Sequence, residues 1–416
     1  MKEKAELRNI NKKYLNNFQE NFSFTLLLRE CDEMKIVDIN CFKLRKQEAV
    51  GEDFWEERLA RPVDIYERFR NDGPKVLGGT TVEQNFVEIS SDEGFKGIFG
   101  PISDNIANII MRDLKRLIVG EDPFAVEKIW DIMYRHQVHG RKGECVMAIS
   151  AVDCALWDLI GKARGEPVVK LLGGPVQEKV PAYASMLGFS LKPEEVSRRS
   201  LEVAEEGFTA MKWFFRYGPG SGLSGMQKNV ELVKTIRETV GYDMDLMLDC
   251  WMSWTLPYAV KMVKKIEKYE PAWLEEPFMP DDIDSYIKLR RATDIPIAGG
   301  EHEYTRWGVK ELLKHEAVDI LQTDVTWAGG ITEMKKICAL ASSEGIPVIP
   351  HAGWTEPSQA IIFSNPQSVC PMIEYLLKFA VIQQTFNKEK LKPSKGYFYA
   401  PNKIGLGFEP DMKWLT

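Results

Sequence analysis

The sequence predicts an α/β protein: a (β/α) barrel of the TIM type with an N-terminal α+β capping domain. Three observations lead there. From about Val180 onward, short apolar or β-branched runs alternate with amphipathic helical stretches. The first 165 residues keep a different rhythm, with strands grouped before helices. Finally, several barrel runs end on one conspicuous polar residue, at the edge where barrel enzymes carry their chemistry.

Taken in order, MKIVDINCFKL reads as a strand, and VEQNFVEISSDEGFKGIFG as a hairpin turning at Asp92-Glu93-Gly94. NIANIIMRDLKRLIVG, AVEKIWDIMYRHQVHG and MAISAVDCALWDLIGKARG carry helical spacing. The barrel rhythm follows: VPAYASM, AMKWFF, DLMLDC, WLEEP, PIAGGE, DILQTDV, PVIPHAG and PMIEY read as strands. Helices lie between them, with glycine or proline where several of them should stop. An open doubly wound sheet competes, but no G-x-G-x-x-G follows the first strand. The expected division is a cap over 1–165, a barrel over 166–387, and a tail over 388–416 that packs back on the cap.

The 416 residues are 44% hydrophobic and 28% charged, a globular balance with enough apolar mass for a large core. A net charge of −7 with both signs interspersed argues against nucleic acid as a partner. The apolar run Phe24 to Leu28 is far short of the ~20 residues of a membrane helix, so no membrane is expected. Seven cysteines, widely spaced and without C-x-x-C, fit reduced thiols. With a polar, charged N-terminal stretch, the cytoplasm is the expected location.

The polar strand-end residues are Lys212, Asp249, Glu275, Glu301, Asp324, His351 and Glu374. Asp249, Glu275 and Glu301 come from successive strands, spaced 26 and 26 residues apart. Three carboxylates cannot share a dry pocket uncompensated. A hard divalent cation, Mg²⁺ or Mn²⁺, resolves this; the alternative is that each acid caps a helix or meets a lysine. Asp324 on the strand before His351 can orient the imidazole as a general base. Lys212 points inward and can bind a carboxylate or pair with Asp249. Glu374 can hydrogen-bond an enolate oxygen if protonated, or form a salt bridge. His302 is a candidate substrate contact, while His315 reads as helix surface. Trp251, Trp254, Trp327 and Trp354 are candidates for a pocket wall or for packing. The basic loop His139–Gly143 is a candidate lid.

LMLDCW, WLEEP, AGGEHE, LQTDVTWAGGIT, IPVIPHAG and PMIEY, in this order, resemble the enolase superfamily, mandelate racemase subgroup. AVDCALWDLIGKARGEPVVKLLGG is similar to that family's junction between cap and barrel. AMKWFFRYGP, GYDMDLMLDCW, GGEHE and IPVIPHAG are most similar to the rhamnonate dehydratases and related sugar-acid dehydratases. The resemblance implies Mg²⁺ on Asp249, Glu275 and Glu301, an Asp324–His351 dyad, Lys212 on the substrate carboxylate and Glu374 facing the enolate. It also implies the chemistry of that superfamily, in which a Lys or His base works beside a metal-stabilised enediolate. Two departures stand out. Phe214 occupies the place of the second lysine of the racemases' Lys-x-Lys. WEERLARPVDIYERF lacks the histidine of the rhamnonate dehydratases, and Arg58 or Arg61 is the candidate for its place as a substrate contact; Trp354 is a further candidate contact.

One base suffices to take an α-proton and return it to a leaving β-hydroxyl. The expectation is therefore a lyase, a hydro-lyase that dehydrates a small acid sugar to a 2-keto-3-deoxy acid. An epimerase or racemase of a hydroxy acid, or a non-catalytic binding barrel, are the alternatives. A homo-oligomer is the family-level expectation.

Overall fold

The computed structural model describes residues 34–47, 54–73 and 81–416. The Phe24–Leu28 run and Cys31 lie outside the described residues. Three strands open the fold: β1 (Ile36–Gln47), β2 (Thr81–Ser91) and β3 (Lys96–Ile102), an antiparallel meander. An irregularity between Ile36 and Asp38 lets both Ile36 and Ile39 of β1 reach the main core, while Leu44, on the opposite face, joins Phe86, Phe386 and Phe408 in a smaller cluster. The β2–β3 turn falls at 92–95, where Gly94 takes φ +84°. That left-handed conformation is free for glycine and costly for other residues.

The main helices of the cap are α1 (Asp104–Ile109), which continues through a π turn and a short helical turn to Ile118, α2 (Val126–His136) and α3 (Glu144–Arg164). Helix α3 is apolar almost all round and lies between the cap sheet and the barrel, so no wide polar stripe is expected of it. It approaches β3 so closely that a Cβ at Gly97 would lie 2.0 Å from the Ala155 carbonyl. Its few polar side chains bind the two halves together. Asp153 accepts from Thr332 N at 2.9 Å, the Trp157 indole donates to Thr332 Oγ1 at 2.9 Å, and Gly329 N donates to Ser150 Oγ at 2.8 Å. Asp158 accepts from both Ile98 N and Leu406 N at 2.9 Å, joining cap, helix and tail.

The barrel strands are β4 (Lys179–Ser185), β5 (Ala210–Phe214), β6 (Asp245–Asp249), β7 (Trp273–Glu275), β8 (Ile297–Gly299), β9 (Ile320–Leu321) and β10 (Ile373–Leu376). They form one parallel curled sheet in the order β10-β4-β5-β6-β7-β8-β9. The predicted strand PVIPHAG is reduced to a bridge between Leu321 and Val348. Pro347 and Pro350 cannot donate to a ladder, which limits its length. Even so, Ile349 N and His351 N donate to Leu321 O and Gln322 O, so the segment lies beside β9. Helices α4 (Pro193–Glu205), α5 (Gly222–Val240), α6 (Leu256–Ile266), α7 (Ile283–Arg290), α8 (Thr305–Lys314), α9 (Gly330–Ser343) and α10 (Glu356–Phe363) alternate with the strands. Helix α11 (Leu377–Gln383) follows β10.

Tyr183, Ala210, Met247, Trp273 and Ala298 of five strands, with Ile349 of the segment beside β9, form a separate buried cluster, the filling of the barrel beneath the site. The tail serves both halves. Strand β11 (Tyr397–Tyr399) pairs antiparallel with β4, while Leu415 bridges Leu44 of the cap. Among the described residues, no helix is long and apolar enough to cross a membrane, and the six described cysteines are free thiols.

Candidate active site

The barrel register determines which polar side chains meet. Asp249 and Glu275 end β6 and β7 and are direct neighbours. Glu301 follows β8 by two residues, and Asp324 follows β9 by three. Lys212 and Glu374 differ from expectation by lying inside their strands. Lys212 is level with Met247, two residues deeper than Asp249. A long side chain bridges that difference, so the ammonium still meets the acids.

Lys212 is 3% exposed and central to one half of the site. It pairs with Glu275, with Glu374 at 2.8 Å and with Asp249 at 3.6 Å. Burial opposes its charge, but Glu275 and Glu374 outweigh burial and hold the ammonium well above the usual lysine range. Of the two alternatives for Glu374, a protonated donor or a salt bridge, these partners favour the salt bridge. Although burial favours its neutral form, Lys212 and then His351 outweigh that effect and hold the carboxyl below its ordinary value. Glu374 is an acceptor, taking Ala352 N at 3.0 Å.

The other half gathers around Glu301. His302 Nδ1 lies 2.7 Å from Glu276 Oε2, and one ligand atom each of Glu276, Glu301 and His302 lie within 4.8 Å of one another. Glu276 is not among the residues expected from sequence. In WLEEP, strand alternation should send neighbouring acids to opposite faces. Glu276 takes φ +38°, so alternation ends there. Trp251, Met252, Thr305 and Ala352 also have positive φ, which clusters uncommon backbone conformations around the barrel mouth. Burial lowers the His302 pKa, but the hydrogen bond to Glu276 together with the charges of Glu276 and Glu301 outweighs it and raises the group to about 9.

His351 and Asp324 form the expected pair. Nδ1 lies 2.8 Å from Asp324 Oδ2, and Nε2 lies 3.4 Å from Glu301 Oε1. Thr326 donates through N and Oγ1 to Asp324 Oδ1, fixing the carboxylate. Burial works against the imidazolium; Glu301 and the bond to Asp324 outweigh it and raise His351 to about 10.

Six buried carboxylates, Asp249, Glu275, Glu276, Glu301, Asp324 and Glu374, thus face one lysine and two histidines. Burial, reinforced by Glu275, raises Asp249 well above its ordinary value. Burial also lifts Glu301 to about 7, despite the opposing His351 charge. This excess of buried negative charge on oxygen donors fits a hard divalent cation. Among the described residues, Glu276, Glu301 and His302 are the acids and histidine whose ligand atoms gather this closely; the expected set of Asp249, Glu275 and Glu301 shares only Glu301 with them.

A cavity of about 390 Å³ opens above these groups. His351, Glu301, Trp251 and Trp327 line its floor, and Trp55, Leu59 and Arg61 its lid. Two of the four candidate tryptophans therefore wall the pocket. Trp254 instead donates to Tyr217 O at 3.3 Å. The expectation for Trp354 is corrected: it faces a separate cavity of about 70 Å³, beyond His351 and Trp327. Arg58 is corrected too. It borders the pocket, but its guanidinium donates to Leu59 O, Phe69 O, Arg70 O, Asp72 O and both Asp64 oxygens, leaving no donor for a ligand. Arg61 binds Asp64, Asp72 and Phe69 O through Nε and Nη2. Lys142 of the basic loop pairs with Glu303 at 2.5 Å, and His315 lies 3.6 Å from Glu311 on the surface.

Comparison with known proteins places this geometry. Residues 62–173 match the mandelate racemase / muconate lactonizing enzyme N-terminal domain, and residues 195–414 match the enolase C-terminal domain-like family. A Caldivirga maquilingensis protein, provisionally named an L-rhamnonate dehydratase, is 41% identical over 372 residues, covering 86% of this chain and 88% of its own. The L-rhamnonate dehydratase of Saccharopolyspora erythraea is 38% identical over 333 residues, covering 79% and 81%. The crystal structure of rhamnonate dehydratase from Gibberella zeae complexed with Mg superposes with a TM-score of 0.80 at 31% identity, covering 92% of this chain and 96% of that one. The chain belongs to the enolase superfamily, in its mandelate racemase and muconate lactonizing enzyme branch.

Proposed function

We propose that this chain is a Mg²⁺-dependent hydro-lyase that dehydrates an aldonic acid to a 2-keto-3-deoxy acid. The observation that carries the reading is the His351–Asp324 pair, buried at the floor of the pocket beside an excess of carboxylates. Asp249, Glu275 and Glu301 would hold the metal. When bound, Mg²⁺ supplies Lewis-acid stabilisation of the charge that develops on the substrate carboxylate.

The remaining steps belong to the chain. With Nδ1 engaged by Asp324, Nε2 of neutral His351 takes the α-proton. A cation on Glu301 would favour that neutral form by offsetting the carboxylate charge that raises the imidazole to about 10. The electron pair of the broken C–H bond forms the C–C double bond as the β C–O bond breaks. His351 returns its proton to the departing oxygen, which leaves as water, and the enol relaxes to the keto acid. Lys212 holds positive charge beside the substrate carboxylate. Ionised Glu374 steadies Lys212 and, through Ala352 N, the turn after His351. Phe214, in place of a second lysine, exchanges no proton, which favours one-base elimination. In this division the cap, 1–165, supplies the lid, and the barrel, 166–387, the chemistry. A homo-oligomer in a reducing cytoplasm accompanies the reading.

A second reading rests on His302. Its Nδ1 is engaged by Glu276 as that of His351 is by Asp324, so a second imidazole stands at the rim. An epimerase would use the two as partner bases.

A library of aldonic and aldaric acids, beginning with L-rhamnonate, tests the proposal with Mg²⁺ and semicarbazide detection of 2-keto-3-deoxy product. A signal that disappears with EDTA is the expected result. Silence with every acid, or a signal indifferent to EDTA, contradicts it.

A further inference from the structure

We propose that Trp273 and Gln322 are positioning residues that hold the Glu275 carboxylate in one orientation for the metal. This rests on the reading of Glu275 as a magnesium ligand. Glu275 Oε2 accepts two hydrogen bonds, from Trp273 Nε1 at 3.0 Å and from Gln322 Nε2 at 2.7 Å. Oε1 is thereby turned toward Lys212. An ionised carboxylate only accepts, so the amide must present its NH₂ here and its carbonyl elsewhere. Gln322 Oε1 is indeed buried without a partner among the described residues. Leaving an acceptor unmet has a cost, and the side chain nonetheless keeps this orientation.

Both donors are fixed by the barrel itself. Trp273 lies two residues before Glu275 on β7, so both side chains share one face. Its indole belongs to the interior filling, in edge contact with Tyr183 at 5.5 Å, while Ala210 and Ala298 of the same cluster are small. Gln322 is 1% exposed. Its N donates to Gly299 O at 2.8 Å, and its carbonyl accepts from His351 N at 3.1 Å. One residue thus joins the metal arm of the site to the base arm: its side chain sets Glu275, and its main chain sets the height of His351. Ligand-orienting partners of this kind typically contribute 10–100-fold to metal affinity.

The test measures Mg²⁺ dissociation constants of the full chain by calorimetry, with Mn²⁺ spin resonance as a second readout. Gln322→Leu and Trp273→Phe each remove one donor. Each is expected to weaken binding by about 10–100-fold while the far-ultraviolet circular dichroism stays that of the wild type. Gln359→Leu is the control. It removes another buried glutamine, one that donates to Trp354 O at 2.9 Å, and should leave metal affinity unchanged. If Gln322→Leu fails to fold, Trp273→Phe decides alone. Binding within twofold of wild type in the folded variants, or an equal loss in Gln359→Leu, overturns the proposal. A wild-type chain that binds no Mg²⁺ overturns the metal-site reading beneath it, and the orienting role falls too.

Discussion

The lid and the barrel mouth both bury charge, yet the same burial has opposite consequences. In the lid, burial works against the charge of Asp64, but Arg58 and Arg61 outweigh it and hold the carboxyl below its ordinary range. At the mouth, burial together with Glu275 pushes Asp249 well above its own. The difference lies in the partners. Lid charges are satisfied within the chain, with Asp64 meeting two guanidiniums and Arg58 six acceptors. The mouth holds more carboxylates than cations. A cluster matched within the chain is architecture; one with an excess of carboxylates has the charge to hold a cation.

The contrast can be broken from either side. The largest effect is expected for His351→Asn: a fall in kcat of about a thousandfold or more, with Mg²⁺ affinity kept, as single-turnover assays and calorimetry would show. Next, Asp249→Asn should weaken Mg²⁺ binding by more than the ~100-fold upper range of outer-shell changes. For the wild type, Mg²⁺ at a hundred times its dissociation constant should stabilise the fold by about 2.7 kcal/mol over the EDTA-treated protein. In the lid, Asp64→Asn leaves Arg58 buried with fewer partners. A rise in KM of about tenfold, or ~1.4 kcal/mol, is expected, with Mg²⁺ affinity unchanged.

The pH dependence of the lid follows from the lowered Asp64 pKa. That contribution to stability is complete above the unfolded carboxylate value near pH 4 and is lost as pH falls through the folded value. Amide protection factors over 54–72, taken relative to the intrinsic exchange rate at each pH, should therefore fall in acid. The smallest effect is expected for Trp354→Phe, whose indole faces the other cavity: a change in KM of less than about twofold.

The candidate site residues are legible because barrel strands are apolar, so a polar residue at a strand end stands out. Asp249, Glu275, Glu301, Asp324 and His351 all converge at the mouth for that reason. Glu276 is hidden from such a reading because alternation fails where the backbone turns left-handed. The ionisation of Glu374 is hidden too, since its partner Lys212 lies 162 positions earlier, two strands away across β4. The lid arginines mislead for a related reason. Their basic character is visible in WEERLARP, whereas the acceptors at Asp64, Phe69, Arg70 and Asp72 depend on how the segment folds back on itself. PVIPHAG is visible by its apolar run, and its prolines explain why so little ladder remains.

The most direct test of one-base dehydration is proton NMR of the turnover reaction in deuterium oxide with the acid that the library screen identifies. Steady conversion to the 2-keto-3-deoxy acid is predicted, with any recovered starting acid unchanged in configuration at the α-carbon. An epimer accumulating with deuterium at that carbon, without loss of water, would contradict it and transfer the second proton to His302.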